Sequence, residues 1–129
     1  MNRNEIAIFE KIHEQLLGFY EETSVLVKKN PNDLMNKFKL QLINKVLENA
    51  NVILGDTKPF DDFSQFEVEG EMPFNSDVAM ILSQYIKCIE LIKKDNIHVC
   101  SGTWYWDEDG DKKKHTIKTS APVILRGKI

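Results

Sequence analysis

The sequence predicts an α+β fold, in which an N-terminal antiparallel helical hairpin and a third helix pack on a small C-terminal antiparallel β-sheet, a hairpin plus an edge strand. Two observations support this prediction. Apolar residues recur at spacings of three and four through most of the first 94 residues, whereas aromatic and β-branched residues surround an Asp-Gly pair near the C-terminus. With 129 residues, 42% of them apolar, residues 1–129 have the size of one domain with its own core.

The apolar periodicity predicts three helices, at about residues 4–29, 31–54 and 76–94. Asn30 suits the N-cap of the second helix and Pro31 its first position, while Gly55 suits its end. Ser76 and Asp77 are expected to cap the third helix.

Two long helices joined by a short turn are expected to form an antiparallel hairpin. Gly18, in the middle of the first helix, indicates a close helix crossing. A hairpin of this length offers a surface on which a second copy could pack, so a homodimer is one expected arrangement.

Residues 55–75 are expected to form an acidic, phenylalanine-rich loop that holds six acids, one lysine and four of the seven phenylalanines. One interpretation is a docking arm that presents apolar anchors within a negative field to a basic protein partner. The structural alternative is that the phenylalanines plug the open end of the helical hairpin while the acids stay in water. The predicted partner-binding residues are Phe60, Asp61, Asp62, Phe63, Phe66, Glu67 and Glu69.

A β-hairpin and an edge strand are predicted over residues 97–127. The turn signal is Asp109-Gly110, because a two-residue type I′ turn needs positive φ at both central positions. This turn would place Trp106 opposite Lys113 and Trp104 opposite His115, so that both tryptophans and the histidine share an inward face.

Two further features of the predicted sheet follow from this register. A β-bulge that changes the parity of the strand is expected near Ser101-Gly102, since Ile97 and Val99 would otherwise fall on the polar face. Pro122 fits only an edge or a strand start, so Val123–Arg126 is predicted to add the edge strand.

The C-terminal third also carries two alternatives to a protein partner. A small ligand or nucleotide could bind beside the predicted inward face, at Trp104, Trp106, His115 and Arg126. Nucleic acid could bind the basic C-terminal strands, where Trp104, Tyr105 and Trp106 accompany Lys112, Lys113, Lys114, Lys118, Arg126 and Lys128. The acidic pI of about 5.6 weighs against nucleic acid.

No catalytic, metal or cofactor motif stands out. The three histidines occur in separate elements without HExxH or HxxxH spacing, and the acids of Asp107–Asp111 do not follow the calcium-loop pattern. Cys100 and His98 lie two apart on one strand, but nothing in the sequence activates the thiol. We therefore expect no cofactor and a non-enzymatic interaction protein, such as a small regulator, inhibitor or immunity-type protein, with an enzyme of unfamiliar type as an open alternative.

Two further patterns indicate a cytoplasmic protein with no membrane partner. The N-terminus lacks the apolar region of a secretory signal, and the apolar runs are far shorter than a membrane span. Two cysteines, Cys88 and Cys100, are too few for a disulfide framework and are expected to be reduced.

Overall fold

The structure, a computed structural model, describes residues 1–123. It confirms the α+β class, with three helices followed by a three-stranded antiparallel sheet of order β1-β2-β3. The elements are α1 (Arg3–Lys29), α2 (Lys37–Leu54), α3 (Asn75–Lys94), β1 (Ile97–Cys100), β2 (Thr103–Trp106) and β3 (Lys118–Thr119). Within residues 1–123, no helix combines the length and the apolar character that crossing a bilayer requires.

The chain divides into two compact units, each with its own buried side chains. Unit 1 comprises Met1–Lys11 and Ile89–Ile129, and unit 2 comprises Ile12–Cys88. In unit 1 the apolar core is formed by Ile6, Phe9, Ile89, Ile97 and Trp106. In unit 2 it is formed by Ile12, Leu16, Met35, Leu40, Ile43, Val46, Leu47, Ala50, Leu54, Phe66, Val78, Leu82 and Tyr85.

Trp106 is the largest buried side chain of unit 1. Its ring packs edge-to-face against Phe9, with the centroids 5.3 Å apart. Its indole N–H donates a hydrogen bond of 2.8 Å to the Glu10 carboxylate, so the polar edge of the buried ring is satisfied. The predicted inward orientation of Trp106 is confirmed.

The helices α1 and α3 begin within one residue of their predicted starts. At the start of α1, Asn2 and Glu5 form a reciprocal capping box, because each backbone N–H donates to the side chain of the other at 2.8 Å. The Asp77 carboxylate accepts from the Phe74 N–H at the start of α3. Gly18 is exposed, and a Cβ there would meet nothing within 4 Å, so the predicted close crossing at this glycine is wrong.

The start of α2 is a correction, because this helix begins at Lys37 and not at residue 31. Its N-cap is Asn36, whose side chain accepts from the Lys39 N–H at 3.1 Å. Residues 31–35 instead form a turn whose backbone bonds to residues 73–76. Those hydrogen bonds hold the segment out of helical geometry, which overrides the local signal of Asn30 and Pro31.

The hairpin is the second correction. Its strands are β1 and β2, and its turn is Ser101-Gly102, where both residues have positive φ (51° and 81°) as a type I′ turn requires. Asp109-Gly110 also has positive φ at both positions but lies in a 3-10 turn with no flanking strand pair. The predicted pairing of WYW with KKKH is wrong because β2 already pairs with β1 along one edge and with β3 along the other.

The predicted bulge and edge strand also change. Ser101-Gly102 is the hairpin turn and not a bulge, while the edge strand that pairs with β2 is Lys118–Thr119. Of the segment Val123–Arg126, Val123 is not part of a strand, and residues 124–126 lie outside the described residues.

Candidate functional site

The loop over residues 55–75 is held on α2 by Asn44, whose side-chain amide pairs with the loop as a backbone peptide group would. Asn44 donates from its amide nitrogen to the Phe66 carbonyl at 2.9 Å, and its carbonyl oxygen accepts from the Phe66 N–H at 2.8 Å. Both polar groups of a half-buried backbone are thus satisfied by one side chain, which leaves no unpaired group beneath Phe66.

A second asparagine, Asn51, lies about two helical turns further along α2 and also binds the loop. Its amide donates to the Ser64 carbonyl at 2.9 Å, and its oxygen accepts from the Tyr85 hydroxyl at 2.7 Å. Burial raises the pKa of the Tyr85 hydroxyl, and the hydrogen bond to Asn51 opposes this in part. The hydroxyl therefore stays a neutral donor that ties α3 to α2 inside unit 2.

Backbone hydrogen bonds hold the end of the loop. The Met35 N–H donates to the Pro73 carbonyl at 2.9 Å, and the Asn75 N–H donates to the Asp33 carbonyl at 2.8 Å. Leu34 and Phe74 form an isolated antiparallel bridge at the same place. The loop is consequently fixed at both Phe66 and residues 73–75, although it contains no strand of its own.

The phenylalanines of the loop form a row of ring contacts. Phe60 meets Phe63 with centroids 6.1 Å apart, and Phe63 meets Phe66 at 5.1 Å, both edge-to-face. Phe66 is buried, Phe60 and Phe63 are half-buried, and Phe74 is 42% exposed. Phe66 is thus buried, whereas the other three rings keep surface in contact with water.

A surface pocket of about 440 Å³ lies between Phe66 and the start of α3. Its apolar lining comes from phenylalanine, methionine and proline, and three carboxylates stand among these residues. We call it the acid-rimmed pocket, and its lining residues are Phe63, Gln65, Phe66, Glu67, Glu71, Met72, Pro73, Phe74 and Asp77. Apolar walls with a few convergent polar groups are typical of binding sites.

The structure brings three of the predicted partner-binding residues to this pocket, namely Phe63, Phe66 and Glu67. The other predicted residues do not line it. Phe60 supports Phe63, whereas Glu69 lies outside and forms an exposed ion pair with Lys37 at 3.3 Å. Asp61 and Asp62 are exposed on the preceding turn of the loop.

Sequence reasoning missed Glu71, Phe74 and Asp77 as members of one site. The sequence predicts Asp77 as a helix cap, a role that it does fill, and Phe74 as one of the phenylalanines of the acidic loop. The available signal was the continuation of the acidic, aromatic composition of the loop into the first turn of the next helix.

The residues of the ligand-binding alternative are not gathered on one face. Trp106 is buried against Phe9, and Trp104 is half-buried on the same side of β2. His115 instead lies beside Tyr105, with the ring centroids 5.2 Å apart. Arg126 lies outside the described residues. The ligand site stays a prediction to which this geometry adds no support.

The lysines of the nucleic-acid alternative are partly neutralised. Lys112 contacts Asp107 at 2.7 Å, and Lys114 contacts Asp109 at 3.1 Å. The carboxylates near Lys114, chiefly Asp109, raise the pKa of this amine. Two of these lysines are thus ion-paired with acids of the same segment. Nucleic-acid binding stays a prediction to which this geometry adds no support.

Asp107 is a buried carboxylate that keeps its charge. Burial raises its pKa, but hydrogen bonds from Lys112 and His98, together with their charges, outweigh that effect and leave the pKa below its usual value. His98 Nδ1 lies 2.6 Å from Asp107 Oδ1. The backbone N–H of Asp107 donates to the Asn96 carbonyl at 2.8 Å, which fixes the residue at the end of β2.

Comparison of the chain with protein-family models, with curated proteins and with solved structures finds no match. The functional arguments below therefore rest on the geometry of the described residues.

Proposed function

We propose that the protein is a non-enzymatic interaction protein, of the regulator, inhibitor or immunity type, that docks on a basic surface of a protein partner. In this proposal the acid-rimmed pocket receives a lysine or arginine side chain of the partner. The observation that carries the proposal is the placement of three carboxylates around an apolar, phenylalanine-lined pocket of about 440 Å³.

The chemistry of the pocket matches the two halves of a basic side chain. Lysine and arginine carry an apolar stem below a cationic head, so the stem suits the methionine, proline and phenylalanine surface. The head can reach a carboxylate or the face of an aromatic ring, and both contacts favour a cation. An acidic or neutral apolar side chain would satisfy only one half of the site.

The charge of unit 2 supports the same class of partner. Its formal charges sum to −5, and six of its acids lie within residues 55–75. A negative field of this kind accelerates the approach of a positively charged surface and disfavours acidic ones. The cytoplasm, which the sequence predicts as the location, is where we propose that this docking takes place.

The experiment that tests the proposal measures fluorescence anisotropy with three labelled nonapeptides of one serine-alanine background, carrying three arginines, three lysines or three glutamates. We expect the two cationic peptides to bind and the acidic one not to bind. The double variant E67Q/E71Q removes two rim charges and should weaken binding by at least about tenfold, equivalent to about 1.4 kcal/mol. Equal binding of all three peptides would contradict the proposal.

A matched control separates the pocket from net charge. The variant E14Q/E48Q removes two exposed helical acids of unit 2 that do not line the pocket, and it should bind the cationic peptides within about twofold of the wild type. If E14Q/E48Q lost as much affinity as E67Q/E71Q, attraction would be a property of overall charge and not of the pocket.

A second pair of variants tests the apolar part. Phe74 lines the pocket and is 42% exposed, while Phe38 is 67% exposed and lies elsewhere on unit 2. F74A should therefore weaken binding of the arginine peptide while F38A leaves it unchanged. Unchanged binding in F74A would remove the aromatic ring from the proposed contact.

A further inference from the structure

Two histidines from separate segments of unit 1 direct ring nitrogens at each other. His98 is on β1, His115 follows the lysines after the 3-10 turn, and His98 Nε2 lies 3.1 Å from His115 Nδ1. Tyr105 packs against both rings, with centroids 5.9 Å from His98 and 5.2 Å from His115. We propose that these two nitrogens bind a divalent first-row transition-metal ion, with Asp107 orienting His98.

The spacing of the two nitrogens suits adjacent ligands of one ion. Zinc–imidazole distances are about 2.0–2.1 Å, so a nitrogen–nitrogen separation of 3.1 Å corresponds to an angle of about 98° at the metal. That angle lies between the octahedral and tetrahedral values. Because the two nitrogens face each other, the exposed ring of His115 has to turn aside before an ion can take the place of the direct hydrogen bond.

Asp107 supplies the outer contact that metal-binding histidines usually have. Its Oδ1 lies 2.6 Å from His98 Nδ1, which fixes the proton there and leaves the Nε2 lone pair directed at His115. Its other oxygen accepts from Lys112 at 2.7 Å, and the side chain is buried. The carboxylate is thus held in place from two sides, so His98 has a defined tautomer and a defined ring orientation.

The site is open on one side. His115 is exposed, so an ion reaches the pair directly from water. Among residues 1–123, no group of three or more His, Cys, Asp or Glu side chains is arranged to hold an ion, so the proposed site has two protein ligands and water completes the coordination. Neutral imidazole favours zinc, copper, nickel or cobalt, whereas magnesium and calcium prefer oxygen ligands.

The sequence did not reveal this pair because its members are 17 residues apart and follow no metal motif. They meet because residues 107–117 return along β2 and bring His115 to the side of the sheet that carries His98 and Tyr105. The proposal is independent of the docking function, since all of its residues belong to unit 1.

The test titrates the tag-free, full-length protein with zinc chloride by calorimetry, in a buffer that does not coordinate metals. We expect one ion per chain, no heat from magnesium chloride, and binding at least about tenfold weaker in H115A, which changes an exposed side chain. K113A, an exposed neighbour, is the matched control and should bind like the wild type. Equal binding in H115A and wild type would overturn the proposal, as would several weak sites of similar affinity in both.

Nuclear magnetic resonance of the histidine rings tests which residues are ligands and what Asp107 does. On addition of zinc, the ring proton signals of His98 and His115 should shift while those of His13 stay in place, and C100S should bind as the wild type does. In D107N the ¹⁵N shifts of the His98 ring should show loss of the fixed tautomer, with zinc affinity about 10–100-fold lower. Loss of binding in C100S, or an unchanged His98 signal on zinc addition, would contradict the assignment.

Discussion

Asn44 acts on the backbone of another segment as a neighbouring strand would. One amide group pairs with both the N–H and the carbonyl of Phe66, a buried residue that lines the acid-rimmed pocket. Because Asn44 is on α2, a helix positions a loop that contains no strand and only one short 3-10 turn, at Gly55–Thr57. The geometry of the pocket therefore depends on a residue that does not line it.

Replacement of Asn44 should destabilise the protein more than the size of this side chain suggests. N44A leaves two half-buried backbone groups without partners, and we expect the free energy of unfolding to fall by about 1–3 kcal/mol. Urea denaturation followed by circular dichroism measures the change. N49A, an exposed asparagine of the same helix, is the control and should stay within about 0.5 kcal/mol of the wild type. A loss below that limit in N44A would show that the contact does not hold the loop.

At the scale of elements, the bounds of α1 and α3 were predictable from the sequence and the strand pairing was not. The capping box at Asn2 and the Asp77 cap are local signals, and local signals locate α1 and α3 within one residue. Pairing in the sheet is decided between distant segments. Asp109-Gly110 adopts the positive φ values that its sequence favours, but no free edge of β2 remains for its flanking residues to join.

The start of α2 and the acid-rimmed pocket escaped prediction for the same physical reason. The backbone of residues 31–35 forms hydrogen bonds with residues 73–76, 38 or more positions away, and these bonds override the local helix signal at Pro31. The same backbone bonds fix the segment that holds Phe74, which lines one pocket together with Glu67 and Asp77. Composition could indicate an acidic, aromatic surface at residues 60–69, but only the folded chain shows which of its members share a pocket.

Replacement of glycine by alanine should have opposite effects on the free energy of unfolding at Gly18, in a helix, and at Gly102, in a turn. Gly18 lies in a helix with nothing within 4 Å of an added Cβ, so G18A should raise the free energy of unfolding by about 0.5–1 kcal/mol. Gly102 has a φ of 81° in the hairpin turn, so G102A should lower it by about 1–2 kcal/mol. Urea denaturation of both variants measures the pair. A stabilised G102A would mean that the turn adopts another conformation in solution.

At the scale of the molecule, the charges follow the two units. Unit 2 carries a net −5 and holds the acid-rimmed pocket, while the formal charges of unit 1 sum to +2 and its lysines are partly paired with its own acids. The overall value of −3 conceals this division. Attraction of a basic partner is therefore expected to be a property of unit 2.

The sequence predicts a single domain, and cooperative unfolding is the test of that prediction. The helices α1 and α3 each supply residues to both units, so we expect both units to unfold together. Both tryptophans are in unit 1, whereas most of the helical residues are in unit 2, so fluorescence and far-ultraviolet circular dichroism follow different parts of the chain. Their urea midpoints should coincide. Two separated midpoints would show that the units are independent domains.

The backbone bonds between residues 31–35 and 73–76 have a consequence for how this protein can change over generations. Main-chain hydrogen bonds specify no side chain, so the frame that holds residues 73–76 in place tolerates many residues at Phe74 and at Glu71, which precedes it. The rim can thus vary while its support is inherited unchanged. Related chains that face altered partners are expected to differ first at Glu71 and Phe74, and to keep Asn44 and Asn51 of α2.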